Sequence, residues 1–218
     1  MGYNVAIDGP AGAGKSTIAK LVAKEKGYIY VDTGAMYRGM AIHFLDKGIR
    51  AKETDKIISA LKDAEVTIRY EEGLQQVYLN GRNITDRLRE EEVGKMASLT
   101  SAIPQVRQKL LELQKGLART QDVIMDGRDI GTCVLPDADV KIYLTASVET
   151  RAKRRYDELT EKGIACDLDE IKRDIKERDE RDSTREIAPL KQAEDAVLVD
   201  SSHMTIDEVV AAIVKLCR

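Results

Sequence analysis

The sequence predicts a three-layer α/β fold with a five-stranded parallel sheet, a small antiparallel β insertion and a helical lid. Three observations predict it: short apolar runs between helix-like stretches, an alternating segment that ends in a turn signal, and a segment of very dense charge. Each apolar run is too short for a helix, and its residues do not alternate between apolar and polar. This pattern is typical of strands that are buried on both faces of a parallel sheet. Helical crossovers join such strands, which gives a doubly wound arrangement.

Five apolar runs are the predicted strands of the parallel sheet, and four of them end in an aspartate. The runs are Tyr3 to Asp8, Tyr28 to Asp32, Val123 to Asp126, Val140 to Leu144 and Ala196 to Asp200. In open α/β sheets, ligands bind outside the carboxyl ends of the strands. We therefore expect polar chemistry to be concentrated at that edge.

An inserted module is predicted near residues 60–95. Val66, Ile68 and Tyr70 alternate with polar residues, and Asn80-Gly81 is a strong hairpin-turn signal. The flanking stretches, roughly residues 54–64 and 87–116, have helix-like patterns.

A lid is predicted at about residues 151–185. This segment holds eleven Lys/Arg and eleven Asp/Glu in 35 residues. Such a mixture is typical of exposed, salt-bridged helices, and Gly163 predicts a break between them. With the inserted module, we expect the 218 residues to form a single domain.

The bulk composition disfavours several classes of protein. The net charge is only -3, so no overall field attracts nucleic acid or a membrane surface. The three cysteines form no C-x-x-C pair, which disfavours a disulfide framework and a structural zinc site. No leader-like segment or membrane-length apolar stretch is present. We expect a cytoplasmic monomer that binds neither nucleic acid nor membrane.

A phosphate-binding loop is predicted between the first strand and the helix-like stretch after it, where residues 9–16 match G-x-x-x-x-G-K-[ST]. The glycines let backbone N–H groups turn toward phosphate oxygens, and the helix presents its positive end to the same anion. Lys15 then reaches the β- and γ-phosphates of ATP, and the Ser16 hydroxyl suits a Mg²⁺ ligand position. The predicted ATP-binding residues of this P-loop are Gly9, Pro10, Ala11, Gly12, Ala13, Gly14, Lys15, Ser16 and Thr17.

Other classes of P-loop protein fit the sequence poorly. Switch GTPases carry D-x-x-G after a strand and N-K-x-D for guanine, and neither pattern occurs here. Motor and transporter ATPases usually belong to longer chains with partner domains. An insertion and an arginine-rich segment instead suit a small kinase with an acceptor pocket and a lid.

Four segments together resemble bacterial cytidylate kinase: the P-loop and residues 32–38, 126–132 and 177–185, which read DTGAMYR, DGRDIGT and ERDERDSTR. The resemblance runs from Val5 to the C-terminal helix in the family's order and includes the β insertion. Thr33 departs from the serine of many members but keeps the hydroxyl. The resemblance implies transfer of the γ-phosphoryl group of ATP, with Mg²⁺, to CMP or dCMP.

The resemblance also implies an acceptor site. Its residues are Thr33, Arg38, Ser98, Arg107, Arg128, Asp129, Arg178, Asp182 and Arg185. The implied phosphate contacts come from Thr33, Arg38 and Arg128, and an arginine fork suits phosphate because it donates two parallel hydrogen bonds. The implied sugar contacts come from Arg178 and Asp182, while Arg181 or Arg185 contacts phosphate or base.

The base-recognition positions that the resemblance implies are Ser98, Arg107 and Asp129, and their chemistry suits cytosine. A carboxylate or hydroxyl accepts from the N4 amino group, and Arg107 donates to N3 and O2. Uracil inverts two of these groups, so its O4 would face Asp129 and its N3–H would face Arg107. Unpaired polar groups of this kind give strong discrimination.

The predicted catalytic residues neutralise charge and position the two nucleotides, and no general base is assigned. They are Lys15, Arg128, Arg178 and Arg181.

Two sets of roles stay open at this stage. Arg151, Arg154 and Arg155 resemble lid residues that approach ATP phosphates, and Arg154 is counted as ATP-binding, but such arginines also pair with neighbours on solvated helices. Asp126 either assists through a metal-bound water or caps the next turn.

Two alternative functions remain. One is a kinase for another small acceptor, such as UMP, shikimate or a nucleoside, on the same scaffold. The other is an ATP-binding regulatory module without catalysis. Such a module would need a partner surface, and the sequence shows no long apolar or single-sign stripe that would indicate one.

Overall fold

The computed structural model describes residues 2–218, in which the chain forms two compact units. We call residues 31–120 the insert unit, and residues 2–30 with 121–218 the P-loop unit. The strands are β1 (Asn4–Asp8), β2 (Ile29–Asp32), β3 (Val66–Glu71), β4 (Leu74–Leu79), β5 (Arg82–Asn83), β6 (Val123–Gly127), β7 (Val140–Thr145) and β8 (Val197–Asp200). The α-helices are α1 (Lys15–Lys26), α2 (Thr33–Asp46), α3 (Thr54–Ala60), α4 (Glu91–Thr100), α5 (Pro104–Thr120), α6 (Val148–Glu161), α7 (Leu168–Thr184) and α8 (Ile206–Val214).

The parallel sheet has the strand order β2-β6-β1-β7-β8, and it contains all five predicted strands. β1 lies at its centre and pairs in parallel with β6 on one side and β7 on the other. Val5 and Ile7 are fully buried because helices cover the strand, as the continuous apolar run predicts. The predicted α/β class is confirmed.

The core of the P-loop unit lies between this sheet and the helices α1 and α8. Ile18 and Val22 of α1 pack with Val209 and Ile213 of α8. These positions recur every three or four residues, which places them on one face of each helix. The sheet is therefore held at a fixed distance from the helix that follows the P-loop.

The insert unit contains the predicted antiparallel strands. β3 and β4 pair from Val66↔Leu79 to Glu71↔Leu74, and β4 pairs with the short β5. Asn80 and Gly81 both have positive φ, which is the backbone that a two-residue hairpin turn requires. The predicted β insertion is confirmed.

Two helix predictions were wrong in extent. The stretch 87–116 is divided into α4 and α5, because Pro104 has no backbone N–H and is tolerated only in the first turn of a helix. The stretch 54–64 leaves the α-helical path after Ala60 and ends in a 3₁₀ turn, Leu61–Asp63. Gly163, with φ of 69°, lies between α6 and α7 as predicted.

Within residues 2–218, no helix combines the length and the apolar character that crossing a membrane would require.

The sheet core provides a direct test of which contacts stabilise the fold. Ile142 is 1% exposed, whereas Leu198 on the neighbouring strand is 56% exposed. Ile142→Ala should lower the free energy of unfolding by about 2–5 kcal/mol, because it leaves a cavity in the core. Leu198→Ala removes the same number of carbon atoms and should cost less than about 1 kcal/mol. Urea unfolding of both variants measures the difference, and equal losses would contradict the packing described.

Candidate active site

The P-loop follows β1 directly, and three glycines shape it. Gly9, Gly12 and Gly14 have φ of 151°, 76° and 88°, in the region that L side chains rarely adopt. A Cβ on Gly9 would lie 1.9 Å from the carbonyl oxygen of Leu144, and one on Gly12 would lie 3.4 Å from Cβ of Arg151. The loop therefore depends on glycine for its backbone path and for its close approach to β7.

Lys15 begins α1 and is buried at the helix N-terminus. Its ammonium group donates to the carbonyl oxygen of Pro10 at 2.8 Å. Burial lowers the pKa of Lys15 well below its ordinary value, and the positive charge of Arg128 lowers it further, while Asp126 and Asp8 act in the opposite direction. Concentrated positive charge at a helix N-terminus is suited to binding an anion.

Ser16, the last residue of the P-loop motif, is hydrogen-bonded to Asp126 of β6. The Ser16 hydroxyl donates to Oδ2 of Asp126 at 2.9 Å, and the Tyr30 hydroxyl donates to Oδ1 at 2.9 Å. Within residues 2–218, no group of three or more His, Cys, Asp or Glu side chains could hold a metal ion by itself. Hydroxyl and carboxylate oxygens suit Mg²⁺ when substrate phosphates complete its coordination, and the residues present fit that arrangement.

Arg128 follows β6 and is fixed by an ion pair with α7. Its Nε lies 3.0 Å from Oδ2 of Asp182, and its Nη1 donates to the carbonyl oxygen of Gly127 at 3.1 Å. The Asp182 side chain is only 6% exposed, which strengthens the attraction to the guanidinium relative to that in water. Asp182 therefore orients one of the predicted phosphate-binding arginines.

Asp129 is buried next to Arg128 in sequence. One carboxylate oxygen lies 3.4 Å from Nη2 of Arg185, and both side chains are 7% exposed. Arg185 also donates through Nε to the carbonyl oxygen of Ala188 at 2.7 Å. The loop after β6 and the end of α7 thus meet through two charged pairs.

Three of the predicted site arginines lie in or just after the C-terminal part of α7: Arg178, Arg181 and Arg185. α7 ends at Thr184, so Arg185 lies beyond the helix. Arg178 is half-buried, and its charge acts on Lys15. Arg181 is exposed. Three residues with helical spacing therefore occupy three different environments.

The three arginines of α6, whose roles the sequence left open, have different partners. Arg151 is 4% exposed and donates to the carbonyl oxygen of Ala11 at 2.9 Å, so it supports the P-loop backbone from inside the protein. A further ion pair joins Arg151 to Asp179 of α7 at 2.6 Å. Arg155 pairs with Glu158 on the surface.

Arg154 also lies close to the phosphate loop, on the side of Gly14. Its Nη1 would be 4.0 Å from a Cβ on Gly14, and its Nη2 donates to the carbonyl oxygen of Ser201 at 2.8 Å. Its role in binding ATP stays a prediction.

In the insert unit, the start of α2 carries two of the predicted acceptor residues. Thr33 is buried and Arg38 is half-buried one turn later. Asp32 caps this helix by accepting from the backbone N–H of Ala35 at 2.9 Å. Gln75 of β4 binds the backbone N–H and carbonyl groups of Asp32, so the antiparallel sheet fixes the entry to α2.

The other predicted acceptor residues of the insert unit lie around the α4–α5 turn. The Ser98 hydroxyl oxygen is buried and has no hydrogen-bond partner among the described residues. Arg107 donates to the carbonyl oxygen of Ser101 at 3.3 Å, and its guanidinium lies 5.8 Å from the centre of the Tyr37 ring. A cation close to an aromatic ring and a buried hydroxyl are each suited to contacting a flat polar ligand.

The predicted site residues therefore divide between the two units. The P-loop unit brings together Lys15, Ser16, Arg128, Asp129, Arg154, Arg178, Asp182 and Arg185. The insert unit holds Thr33, Arg38, Ser98 and Arg107.

Sequence reasoning missed four residues with direct roles in this architecture. Asp8 was recognised only as the end of a strand, although its carboxylate binds the loop after β6. Tyr30, Tyr37 and Gln75 were not singled out at all. No local motif marks these residues, because each acts on a partner far away in the sequence or on another element.

Comparison with known proteins gives one consistent family. A family model described as Cytidylate kinase matches residues 5–218. The cytidylate kinase of Caldicellulosiruptor saccharolyticus is 51% identical over 98% of this chain and 94% of its own length. That of Lactobacillus johnsonii is 50% identical over 98% and 93%. A solved structure of an uncharacterized protein from Eubacterium ventriosum has the same fold, with a TM-score of 0.54, 13% identity, and coverage of 98% and 96%.

The role of Gly9 can be tested by comparison with a second glycine of positive φ. Gly163→Ala should cost about 1–2 kcal/mol from backbone strain alone, because nothing lies within 4 Å of the new Cβ. Gly9→Ala should lower the thermal unfolding midpoint further, since its Cβ would overlap the Leu144 carbonyl. Neither the new Cβ nor the backbone carbonyl can move away by a side-chain rotation. Circular dichroism of the two variants measures this difference. Equal midpoints would show that the P-loop does not need the close approach to β7.

Proposed function

This chain belongs to the cytidylate kinase family, and we propose from that premise that it transfers the γ-phosphoryl group of ATP to CMP or dCMP, giving ADP and CDP or dCDP. The observation that carries the proposal is the grouping of Lys15, Arg128 and Arg178 in the P-loop unit, where the charges of both arginines act on Lys15. Phosphoryl transfer spreads negative charge over the equatorial oxygens of the moving group. Three cations with fixed positions stabilise that charge without reorganising during the reaction.

The P-loop residues supply the donor side of the reaction. Backbone N–H groups of residues 9–16 bind the β- and γ-phosphates, Lys15 neutralises their charge, and Arg154 adds a second cation beside Gly14. The Ser16 hydroxyl, with Asp126 next to it, would hold Mg²⁺, which would supply further neutralisation of phosphate charge. Asp126 is placed to orient Ser16, and its contact with Tyr30 keeps the carboxylate in position.

The acceptor is bound through its phosphate and its sugar. Thr33, Arg38 and Arg128 are proposed to bind the phosphate, and guanidinium groups suit this task because they fix orientation as well as charge. Arg178 and Asp182 are proposed to contact the sugar. Arg181, which is exposed on α7, is proposed to join the phosphates when α7 moves as part of the lid.

Cytosine is distinguished by the direction of its hydrogen bonds. Asp129 accepts from the N4 amino group, Arg107 donates to N3 and O2, and the buried Ser98 hydroxyl offers a further polar contact. The ion pair with Arg185 limits the orientations open to the Asp129 carboxylate. Uracil would leave these groups mismatched, which costs binding in a desolvated site.

The wider organisation follows from the same proposal. Residues 60–95 form the nucleoside-monophosphate-binding module, residues 151–185 form the lid, and the chain acts as one kinase domain. Closure of the lid excludes water and so limits wasteful hydrolysis of ATP. We infer a cytoplasmic monomer whose partners are the two nucleotides rather than nucleic acid or membrane.

Replacement of Lys15 tests the donor side. Lys15→Ala should lower kcat for CMP by at least about a hundredfold, because one preorganised cation on the transferring group is lost. Lys24→Ala, on the exposed face of the same helix, is the matched control and should retain wild-type turnover. Coupled detection of ADP measures both rates. A Lys15→Ala enzyme that turns over at the wild-type rate would exclude this role.

Replacement of Asp129 tests the acceptor side and with it the proposed function. The wild-type enzyme should have a kcat/KM for CMP far above that for UMP, and Asp129→Ala should reduce this ratio by about tenfold or more, because a buried acceptor for the amino group is lost. Asp137→Ala, an exposed carboxylate eight residues further on, should leave the ratio unchanged. Comparable wild-type values for CMP and UMP would contradict the proposal.

A further inference from the structure

Asp8 lies next to the P-loop, but its carboxylate binds another loop of the protein and is not assigned to phosphate binding. It is the last residue of β1, immediately before the P-loop, and is 5% exposed. Its Oδ1 accepts from the backbone N–H of Ile130 at 2.8 Å, and its Oδ2 accepts from that of Gly131 at 2.7 Å. Both carboxylate oxygens are therefore bound to one loop, which is 122 residues away along the chain.

The two N–H groups belong to the start of a π-helical turn, Ile130–Val134. Backbone N–H groups at the start of a helical turn have no partner within the turn, so a carboxylate that accepts from two of them satisfies both. The same loop carries Arg128 and Asp129, which pair with Asp182 of α7 and with Arg185 just beyond that helix. The backbone of the loop is thus held by Asp8 on one side while its side chains are held on the other.

The packing around the loop fits this contact closely. A Cβ on Gly131 would lie 3.4 Å from Oδ2 of Asp8 and 3.2 Å from Cδ of Lys141. A larger residue at position 131 would therefore press on the carboxylate or on the lysine stem. Glycine lets the backbone N–H approach to 2.7 Å.

We propose that Asp8 is a positioning residue for acceptor recognition: it fixes the backbone of residues 130–131 and thereby places the Asp129 carboxylate that reads cytosine. The inference rests on the proposed function, since it assigns Asp8 a part in discriminating CMP from UMP. Asp8 acts on base recognition through the loop; its charge also acts on Lys15, but that effect is common to CMP and UMP and cancels in their ratio.

An amide cannot replace this carboxylate. Asn at position 8 has one oxygen, so it accepts from one N–H and turns an NH₂ group toward the other. A buried N–H would then lose its partner and face another donor, which favours movement of the loop. The shape of the side chain is nearly unchanged, so the substitution tests the hydrogen bonds rather than the packing.

Protonation of Asp8 should have a similar effect in the wild-type enzyme. Burial raises the pKa of Asp8 to about 6, although its two backbone hydrogen bonds act to lower it. The charge of Asp129 raises the pKa further, and that of Lys15 lowers it. Two other titratable groups lie nearby: Tyr143, whose own pKa is raised mainly by burial and also by Asp8, and Lys141, whose ammonium is ion-paired elsewhere. Asp8 is therefore ionised above about pH 6 and loses an acceptor site as the pH falls through that value.

The test compares Asp8→Asn with Asp139→Asn. Asp139 accepts from the backbone N–H of Asn4 at 2.7 Å, which is the same chemistry at the opposite end of β1. The measured quantity is the ratio of kcat/KM for CMP to that for UMP, because the two acceptors carry the same phosphate and its titration cancels. Asp8→Asn should lower this ratio about tenfold at pH 7.5 with KM for ATP within about twofold of wild type. Asp139→Asn should behave as wild type.

The same ratio measured with the wild-type enzyme at pH 7.5 and pH 5.5 keeps the inference testable if Asp8→Asn does not fold, because Asp8 is mostly protonated at pH 5.5 while cytosine N3 is not. The ratio should fall at pH 5.5, and a soluble Asp8→Asn enzyme should show little of this pH dependence. A pH-independent wild-type ratio, or an Asp8→Asn enzyme that discriminates as well as wild type, would overturn the inference. If the wild-type enzyme does not phosphorylate CMP, the proposed function fails instead.

Discussion

The burial of Lys15 is the constraint on which the rest of the P-loop unit depends. Removing an ammonium group from water costs several kcal/mol unless other groups compensate, and the direct hydrogen-bond partner of Lys15 within residues 2–218 is the Pro10 carbonyl. The carboxylates of Asp8 and Asp126 at the ends of β1 and β6 reduce this cost, whereas Arg128 increases it. A bound phosphate anion would offset the positive charge of Lys15, Arg128 and Arg178. The electrostatics of the P-loop therefore favour a phosphate ligand.

Asp8 and Asp126, near the ends of β1 and β6, stabilise different parts of the site. Asp126 binds Ser16 and Tyr30, which fixes the hydroxyl beside the P-loop. Asp8 binds the backbone of the loop after β6 and so governs where Arg128 and Asp129 lie. Because β1 and β6 are adjacent and parallel, both carboxylates emerge at the same edge of the sheet. Their positions follow from the strand order rather than from any local motif.

The sequence predicted best those features that depend on interactions between residues close together in the chain. Continuous apolar runs, the glycine pattern of the P-loop and the Asn80-Gly81 turn each act within a few residues, and all were found where predicted. The limits of helices were harder to predict, as the break before Pro104 and the end of α7 before Arg185 illustrate. The long-range contacts could not be predicted, because the pairing of Arg128 with Asp182 depends on how α7 packs. In the same way, nothing in the charged segment distinguishes the buried Arg151 from the solvated Arg155.

A competition experiment tests most directly whether this arrangement selects cytosine nucleotides. The enzyme would be incubated with ATP-Mg²⁺ and equal concentrations of CMP, dCMP, UMP and AMP in one reaction, and the diphosphates separated by chromatography over time. Preferential early formation of CDP and dCDP, with little ATP consumed in the absence of acceptor, is the predicted result. Formation of all four diphosphates at similar rates, or hydrolysis of ATP without transfer, would contradict it.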